Sequence, residues 1–236
     1  MVCFYFASAC RWLFFFFFSN VNGVSVLQGI DLKNMSLANV VALQAETQPL
    51  LQVLRFVHVD QGGVLVSETR NYAELWSKAS ALAAIIKERQ PDQIGNIALM
   101  MNNHPEFVET MVASSILGVP FVPIDPRAKG LKLAYMLAHT DCDGLVCADY
   151  CLDQVLEVLA EGVKLKWILC VASNELALSS TAIPANPIED YQELLKNATS
   201  ALPDVIHSPD VPMFMMFTSG TTGNHKAVVY SQRQYM

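Results

Sequence analysis

Residues 94–126, IGNIALMMNNHPEFVETMVASSILGVPFVPIDP, decide the fold. Ile94 to Met101 is a run apolar enough for a strand buried on both faces. Pro105 follows where the first turn of a helix tolerates it, because the N–H it lacks would have no partner there. Phe107, Met111, Ser114, Ile116 and Leu117 carry that helix to Gly118, and Val119 to Ile124 is a second apolar run. Strand, helix and strand at this spacing predict a parallel pair joined by a crossover helix.

Working outward, the same alternation recurs. Toward the N-terminus, Tyr72, Leu75, Trp76, Ala79, Leu82, Ala83 and Ile86 repeat at three- and four-residue intervals, which predicts a helix with one apolar stripe ending before Pro91. Before it, Phe56 to Val59 and Val64 to Val66 are short strand-like runs around the turn Asp60-Gln61-Gly62-Gly63. Toward the C-terminus, a helix is expected over Leu131 to Ala138, a strand over Gly144 to Ala148, a helix over Leu152 to Leu159 and a strand over Leu165 to Val171. Ala172 to Pro187 is rich in Ser, Ala, Asn and Pro and is expected as a surface connection, with a short helix near Tyr191 to Lys196. The fold class is therefore α/β, a Rossmann-like parallel sheet with helices on both faces.

Composition narrows function. Hydrophobic residues make up 53% of the 236, enough for a sizeable core. A formal net charge of −7 leaves no basic excess to neutralise a phosphate backbone, so no nucleic-acid partner is expected. The six cysteines lack paired C-x-x-C spacing, and His139 with Cys142, Cys147 and Cys151 fits no common ligand pattern. No metal site of protein ligands is expected, and the cysteines read as buried free thiols in a reducing, cytoplasmic compartment.

Residues 1–34 stand apart. Their run from Phe14 to Phe18 follows Arg11, too short and interrupted for a clear membrane span and without an A-x-A-like cleavage site for a signal peptide. A non-native leader ahead of a start at Met35, a membrane anchor through residues 1–18 and a signal peptide are the three readings left open. The organisation expected is thus a hydrophobic leader, 1–34, and one α/β unit, 35–236.

The chemistry concentrates in residues 211–230, VPMFMMFTSGTTGNHKAVVY, where two apolar strand-like runs flank a loop of small and hydroxylic residues. Glycines let a backbone approach a ligand closely, Ser and Thr hydroxyls with exposed N–H groups can surround phosphate oxygens, and Lys226 adds a point charge. The spacing is not that of a P-loop, because Asn224 and His225 separate Gly223 from Lys226, and no dinucleotide G-x-G-x-x-G occurs. A hairpin turn without function is the alternative from composition alone.

The ordered string Phe217-Thr-Ser-Gly-Thr-Thr-Gly-x-x-Lys226 resembles the phosphate-loop signature of the adenylate-forming superfamily, which includes acyl-CoA synthetases, luciferases and the adenylation domains of peptide synthetases. Upstream, Asn71-Tyr72-Ala73-Glu74-Leu75 is similar to the family's T-Y-x-E-L, Asn103-His104-Pro105-Glu106-Phe107 to its N-x-P-E-F, and Gly118 to Pro126 to its G-A-x-x-V-P-L-N/D-P. The resemblance runs from about Met35 to Met236. It implies that a small-molecule carboxylic acid attacks the α-phosphate of ATP, and that a thiol, commonly of coenzyme A, then takes the acyl group. In that reading Thr218, Ser219, Gly220, Thr221, Thr222, Gly223 and Lys226 form the nucleotide-binding loop. The four hydroxyls hold the β and γ phosphates with Mg²⁺, and Lys226 offsets their charge.

Three positions depart from the family's pattern: His225 stands for Pro, Ala227 for Gly and Gln232 for a frequent His. Family members are about twice this length. Their aromatic-Gly-x-Thr-Glu segment, ribose-binding Asp, hinge and catalytic Lys are expected beyond Met236, so no catalytic residue is assigned. The function implied is an acid–CoA ligase of which this is an N-terminal fragment, inactive alone. An adenylation domain loading a carrier protein, or a truncated product that only binds nucleotide or a partner, are the alternatives.

Overall fold

In a computed structural model, residues 34–59, 63–92, 94–173, 188–198, 208–218 and 226–235 are described. The Phe14–Phe18 run and the turn residues 60–62 lie outside them, and among the described residues no helix is long and apolar enough to cross a membrane. Helix α1 (Leu37–Thr47) leads to the antiparallel ribbon β1 (Gln52–Val59) and β2 (Leu65–Asn71), then to α2 (Tyr72–Arg89). Next come β3 (Asn96–Met100), α3 (Pro105–Leu117), β4 (Phe121–Pro123), α4 (Gly130–His139) and β5 (Cys142–Ala148). A 3-10 turn, Asp149–Cys151, opens α5 (Leu152–Ala160), followed by β6 (Trp167–Val171), β7 (Ile188–Asp190) and α6 (Tyr191–Asn197). The chain closes with the hairpin β8 (Pro212–Thr218) and β9 (Lys226–Ser231) and the helical turn α7 (Gln232–Tyr235). The larger sheet has the order β7-β6-β5-β3-β4-β8-β9, parallel except for the β8–β9 pair.

The period-two alternation of the strands sorts the core into two layers. Ile97, Leu99, Val146, Ala148, Trp167 and Leu169 face the helices α1, α2 and α3. Ala98, Met100, Leu145, Cys147 and Ile168 face α4 and α5. This is the expected sheet with helices on both faces. Local chemistry sets the helix ends: Asn71 and Glu74 form a reciprocal capping box for α2, and Gly118, at φ 69°, ends α3 in the left-handed conformation glycine adopts without strain. Several expectations change: β2 runs on to Asn71, and β7 was not anticipated. Helix α1 was not anticipated, and the expected strand Val119 to Ile124 shrinks to Phe121–Pro123 because the Val119 N–H is spent on the last turn of α3, donating to Ser114 O at 3.1 Å. Cys142, Cys147, Cys151 and Cys170 are buried free thiols, as expected.

At Gly144 the first layer leaves no room for a side chain. The Trp167 indole lies across it, held by its Nε1–H donating to Gln90 Oε1 at 2.8 Å, and a Cβ at residue 144 would fall inside the ring. Gly144→Ala should therefore cost about 1–3 kcal/mol through overpacking, read as a lowered melting temperature with a shifted tryptophan emission. An unchanged melting temperature would mean that the ring is free to move.

One buried polar network crosses the first layer. Arg70 on β2 donates Nε–H to Glu109 Oε1 at 2.8 Å, the Tyr191 hydroxyl donates to Glu109 Oε2 at 3.0 Å, and Gln192 Nε2 donates to Glu106 Oε1 at 3.1 Å. Arg70, Glu106, Glu109 and Tyr191 are all buried. Burial, with the neighbouring charge of Glu109 adding, pushes the Glu106 carboxyl up to about 7. The folded chain therefore holds this proton more tightly than the unfolded chain. The associated stability is complete below the usual carboxylate range and is lost as pH rises through about 7. Glu106→Gln, which keeps the neutral form at every pH, should stabilise the fold at pH 8 by on the order of 2 kcal/mol. The gap to the native chain should close as pH falls toward 5. Denaturant titration at both pH values checks this, and a gap independent of pH would contradict it.

Candidate functional site

The phosphate-loop string sits on the β8–β9 hairpin. Its strands pair from Pro212↔Ser231 to Thr218↔Lys226, so Thr218 and Lys226 face each other as the last pair before the loop. Both are exposed, and the Thr218 hydroxyl donates to Lys226 O at 3.4 Å. Lys226 makes no ion pair with the described residues. Of the expected loop residues, Ser219, Gly220, Thr221, Thr222 and Gly223 lie outside the described residues, as does His225.

Strand β8 runs parallel to β4 through the pair Phe121↔Phe214, so its end at Thr218 lies toward the carboxyl edge of the parallel strands. Ligands of open α/β sheets bind along that edge. The sequence makes β8 a strand that belongs to both layers: Phe214 and Met216 pack on the first, Met215 and Phe217 on the second. A register shift between Pro212 and Phe214 puts Met213 also on the first. Rings lock the root of the hairpin. Phe214 stacks on Tyr230 with centroids 4.7 Å apart and meets Phe121 at 5.7 Å and Tyr235 at 5.9 Å. Nearer the tip, Phe217 lies against the stacked pair Tyr135 and His139 of α4.

Other side chains reach the same edge. After β3, the Asn102 N–H donates to the Tyr150 hydroxyl oxygen at 2.7 Å, and His104 Nε2 lies 3.1 Å from that oxygen. Burial lowers the His104 pKa and raises that of Tyr150 to about 12, so both are uncharged at neutral pH. After β4, Arg127 forks onto Asp125 with Nε–Oδ1 at 3.0 Å and Nη2–Oδ2 at 2.7 Å. Among the described residues no group of His, Cys, Asp or Glu is arranged to hold a metal ion.

Sequence reasoning did not find what Gln232 does. It follows β9 directly and is wholly buried, its Oε1 accepting from the Leu37 N–H at 3.1 Å and from the Ser115 hydroxyl at 3.2 Å. Ser115 Oγ in turn accepts from the Ala38 N–H at 2.9 Å. The available signal was its departure from the family's usual histidine. Its partner at Leu37 lies too far away in sequence for a local pattern to reveal.

Comparison with known proteins agrees with this geometry. The model of the family "AMP-binding enzyme" matches residues 44–236. 4-Hydroxybutyrate–CoA ligase 2 of Metallosphaera sedula is 26% identical over 176 residues, which are 74% of this chain and 32% of that one. A dimodular nonribosomal peptide synthase of Bacillus subtilis is 27% identical over 165 residues, covering 69% of this chain and 6% of its own length. A fatty acyl CoA synthetase of Mycobacterium tuberculosis superimposes with a TM-score of 0.63 at 19% identity, over 85% of this chain and 35% of that one. An anthranilate CoA ligase in complex with anthranoyl-AMP gives 0.69 at 14% identity, over 86% and 36%. The solved structures establish the fold, and the chain spans about a third or less of these curated relatives. A family match over most of the chain places it in the AMP-binding, adenylate-forming enzyme family.

Proposed function

We propose that the protein to which this chain belongs activates a small carboxylic acid with MgATP and passes the acyl group to coenzyme A. The observation that carries this reading is the pairing of Thr218 and Lys226, both exposed, at the end of a hairpin whose first strand runs toward the carboxyl edge of a parallel sheet. In the first step a carboxylate oxygen bonds to the α-phosphorus of ATP while the bond to the bridging oxygen breaks, and pyrophosphate leaves. In the second, the thiol sulfur bonds to the acyl carbon, AMP leaves, and the thiol proton passes to solvent. Activation is needed because a carboxylate is a poor electrophile and its mixed anhydride a good one.

The residues fit the polyphosphate they would hold. Thr218 presents a hydroxyl and Lys226 an ammonium with no carboxylate partner among the described residues. The reading adds the backbone and hydroxyls of Ser219, Gly220, Thr221, Thr222 and Gly223 as donors around the β and γ phosphates. Mg²⁺ supplies charge compensation between those phosphates. The protein's own part is to fix donors in place before charge builds on the leaving pyrophosphate. Relatives of both kinds, a CoA ligase and a peptide synthase, support the acyl-adenylate step equally. The peptide synthase keeps a second acceptor in view, the phosphopantetheine thiol of a carrier protein.

The same reading assigns residues 35–236 to the adenylate-forming domain and leaves 1–34 outside it. A chain begun at Met35 should melt within a degree or so of the full chain, and a large loss would place the leader in the fold. The activity itself is read by carboxylate-dependent exchange of labelled pyrophosphate into ATP, in the protein carrying the complete domain. Lys226→Ala should lower exchange by about 10²-fold or more, the size of effect of removing one preorganised charge stabiliser. Thioester formation with CoA, compared with a loaded carrier protein, separates the two acceptors. Exchange unchanged in Lys226→Ala would reduce the loop to a structural turn.

A further inference from the structure

A helix begins with backbone N–H groups that have no partner within it. In α1 each of the first three donates to a side chain from a different place: Leu37 to Gln232, Ala38 to Ser115 on α3, and Asn39 to Ser36 Oγ at 3.2 Å. Ser36, Ser115 and Gln232 are each 0% exposed. The Ser115 hydroxyl also donates to Gln232 Oε1, so one carbonyl oxygen gathers two buried donors from two helices. The positive end of the α1 dipole faces it.

Gln232 is also the root of the phosphate hairpin. Its backbone N–H donates to Val211 O at 3.0 Å, the Arg233 N–H donates to Pro209 O at 2.6 Å, and Arg233 Nε donates to Asp210 Oδ1 at 2.7 Å. Beyond that root the hairpin is joined to the sheet ladder by one register pair, Phe121↔Phe214, and β9 is the edge strand with Lys226, Val228 and Val229 exposed. From Gln232 to Lys226 the strand spans about 20 Å at roughly 3.4 Å per residue. A tilt of about 10° at the root would then move the tip by about 3 Å, and displacements of about 1 Å already cost positioned chemistry dearly.

We propose that Gln232, backed by Ser115, is a positioning residue for the phosphate loop: it fastens the hairpin root to the start of α1, and so fixes where Thr218 and Lys226 stand. This rests on the reading of the loop given above. The choice of side chain has a consequence. An amide oxygen accepts at every pH, whereas the histidine frequent in the family at this position accepts only when neutral.

The test uses the full 236-residue chain with magnesium tripolyphosphate as probe, titrated calorimetrically well below each variant's melting temperature so that the folded fraction is constant. Gln232→Met keeps the length and removes the acceptor, and it should bind about tenfold more weakly than the native chain. Gln232→His should bind within about twofold of native at pH 8 and about tenfold more weakly than native at the lowest pH where the folded fraction is constant, because burial and the positive end of α1 hold imidazole protonation below the usual histidine range; the native chain at each pH is the reference for ionisation of the probe. A role confined to stability would lower the melting temperature and leave the affinity of the folded variants unchanged. Should Gln232→Met not fold, Gln232→His carries the comparison alone, since one polypeptide is read in two protonation states. If Lys226→Ala abolishes binding while both Gln232 variants match the native chain at both pH values, the positioning role is overturned and the phosphate loop stands. If the native chain does not bind the probe, or Lys226→Ala leaves binding intact, the reading of the loop falls and this proposal with it.

Discussion

Residues Ile97 to Met100 of β3 are 0% exposed, on both faces of the sheet. A strand dry on both sides must be covered twice, and everything else in the fold follows from that requirement. The cover comes from α1, α2 and α3 on one side and from α4 and α5 on the other. Because the pairs β3–β4 and β3–β5 are parallel, each crossover returns the chain to the same end, and the segments after β3, β4 and β5 all emerge at the carboxyl edge. The hairpin β8–β9 joins beside β4 in the same sense. A place for a ligand is thus a by-product of burying the centre of the sheet.

The polar interior obeys a stricter rule than the apolar one. Glu109 is wholly buried, and both of its oxygens are used, one by Arg70 and one by Tyr191. Removing Arg70 would leave the Glu109 carboxylate without a counter-ion in a medium that cannot solvate it, and removing the Tyr191 hydroxyl would leave its second oxygen without a donor. The network therefore holds β2 and α6 against α3 in one arrangement. This matters for a two-stranded ribbon such as β1–β2, which pairs within itself but shares no ladder with the larger sheet.

How much of this was legible depended on whether the signal was local. Helices α2 and α3 showed themselves through spacing and through Asn71, Pro105 and Gly118, residues whose backbone preferences act on their immediate neighbours. Helix α1 did not, because Ala38, Val40, Val41, Ala42 and Leu43 are apolar nearly all round and give no clear stripe, and because Gln44, a polar residue, is buried on the inward face. Strand β7 is three half-buried residues at the sheet edge, Ile188 to Asp190, with no alternation to read. At the site, Thr218 and Lys226 were legible as members of an ordered string. That they face each other across the mouth needed the strand register, and the contact of Gln232 with Leu37 needed the whole fold.

If the hairpin takes a polyphosphate as proposed, an acidic chain must keep a positive charge uncommitted where the phosphates arrive. This chain carries a formal charge of −7, and among the described residues five of its cations are neutralised internally: Arg70 with Glu68 and Glu109, Arg89 with Glu189, Arg127 with Asp125, Lys166 with Asp143, Arg233 with Asp210. The last pair sits at the root of the phosphate hairpin, about 20 Å of strand away from Lys226 at the tip. At that distance, screened by salt over about 8–10 Å, Asp210 does not offset the charge of Lys226. The hairpin thus separates two functions along its length. Its root spends hydrogen bonds and an ion pair on holding position, and its tip leaves a hydroxyl and an ammonium exposed.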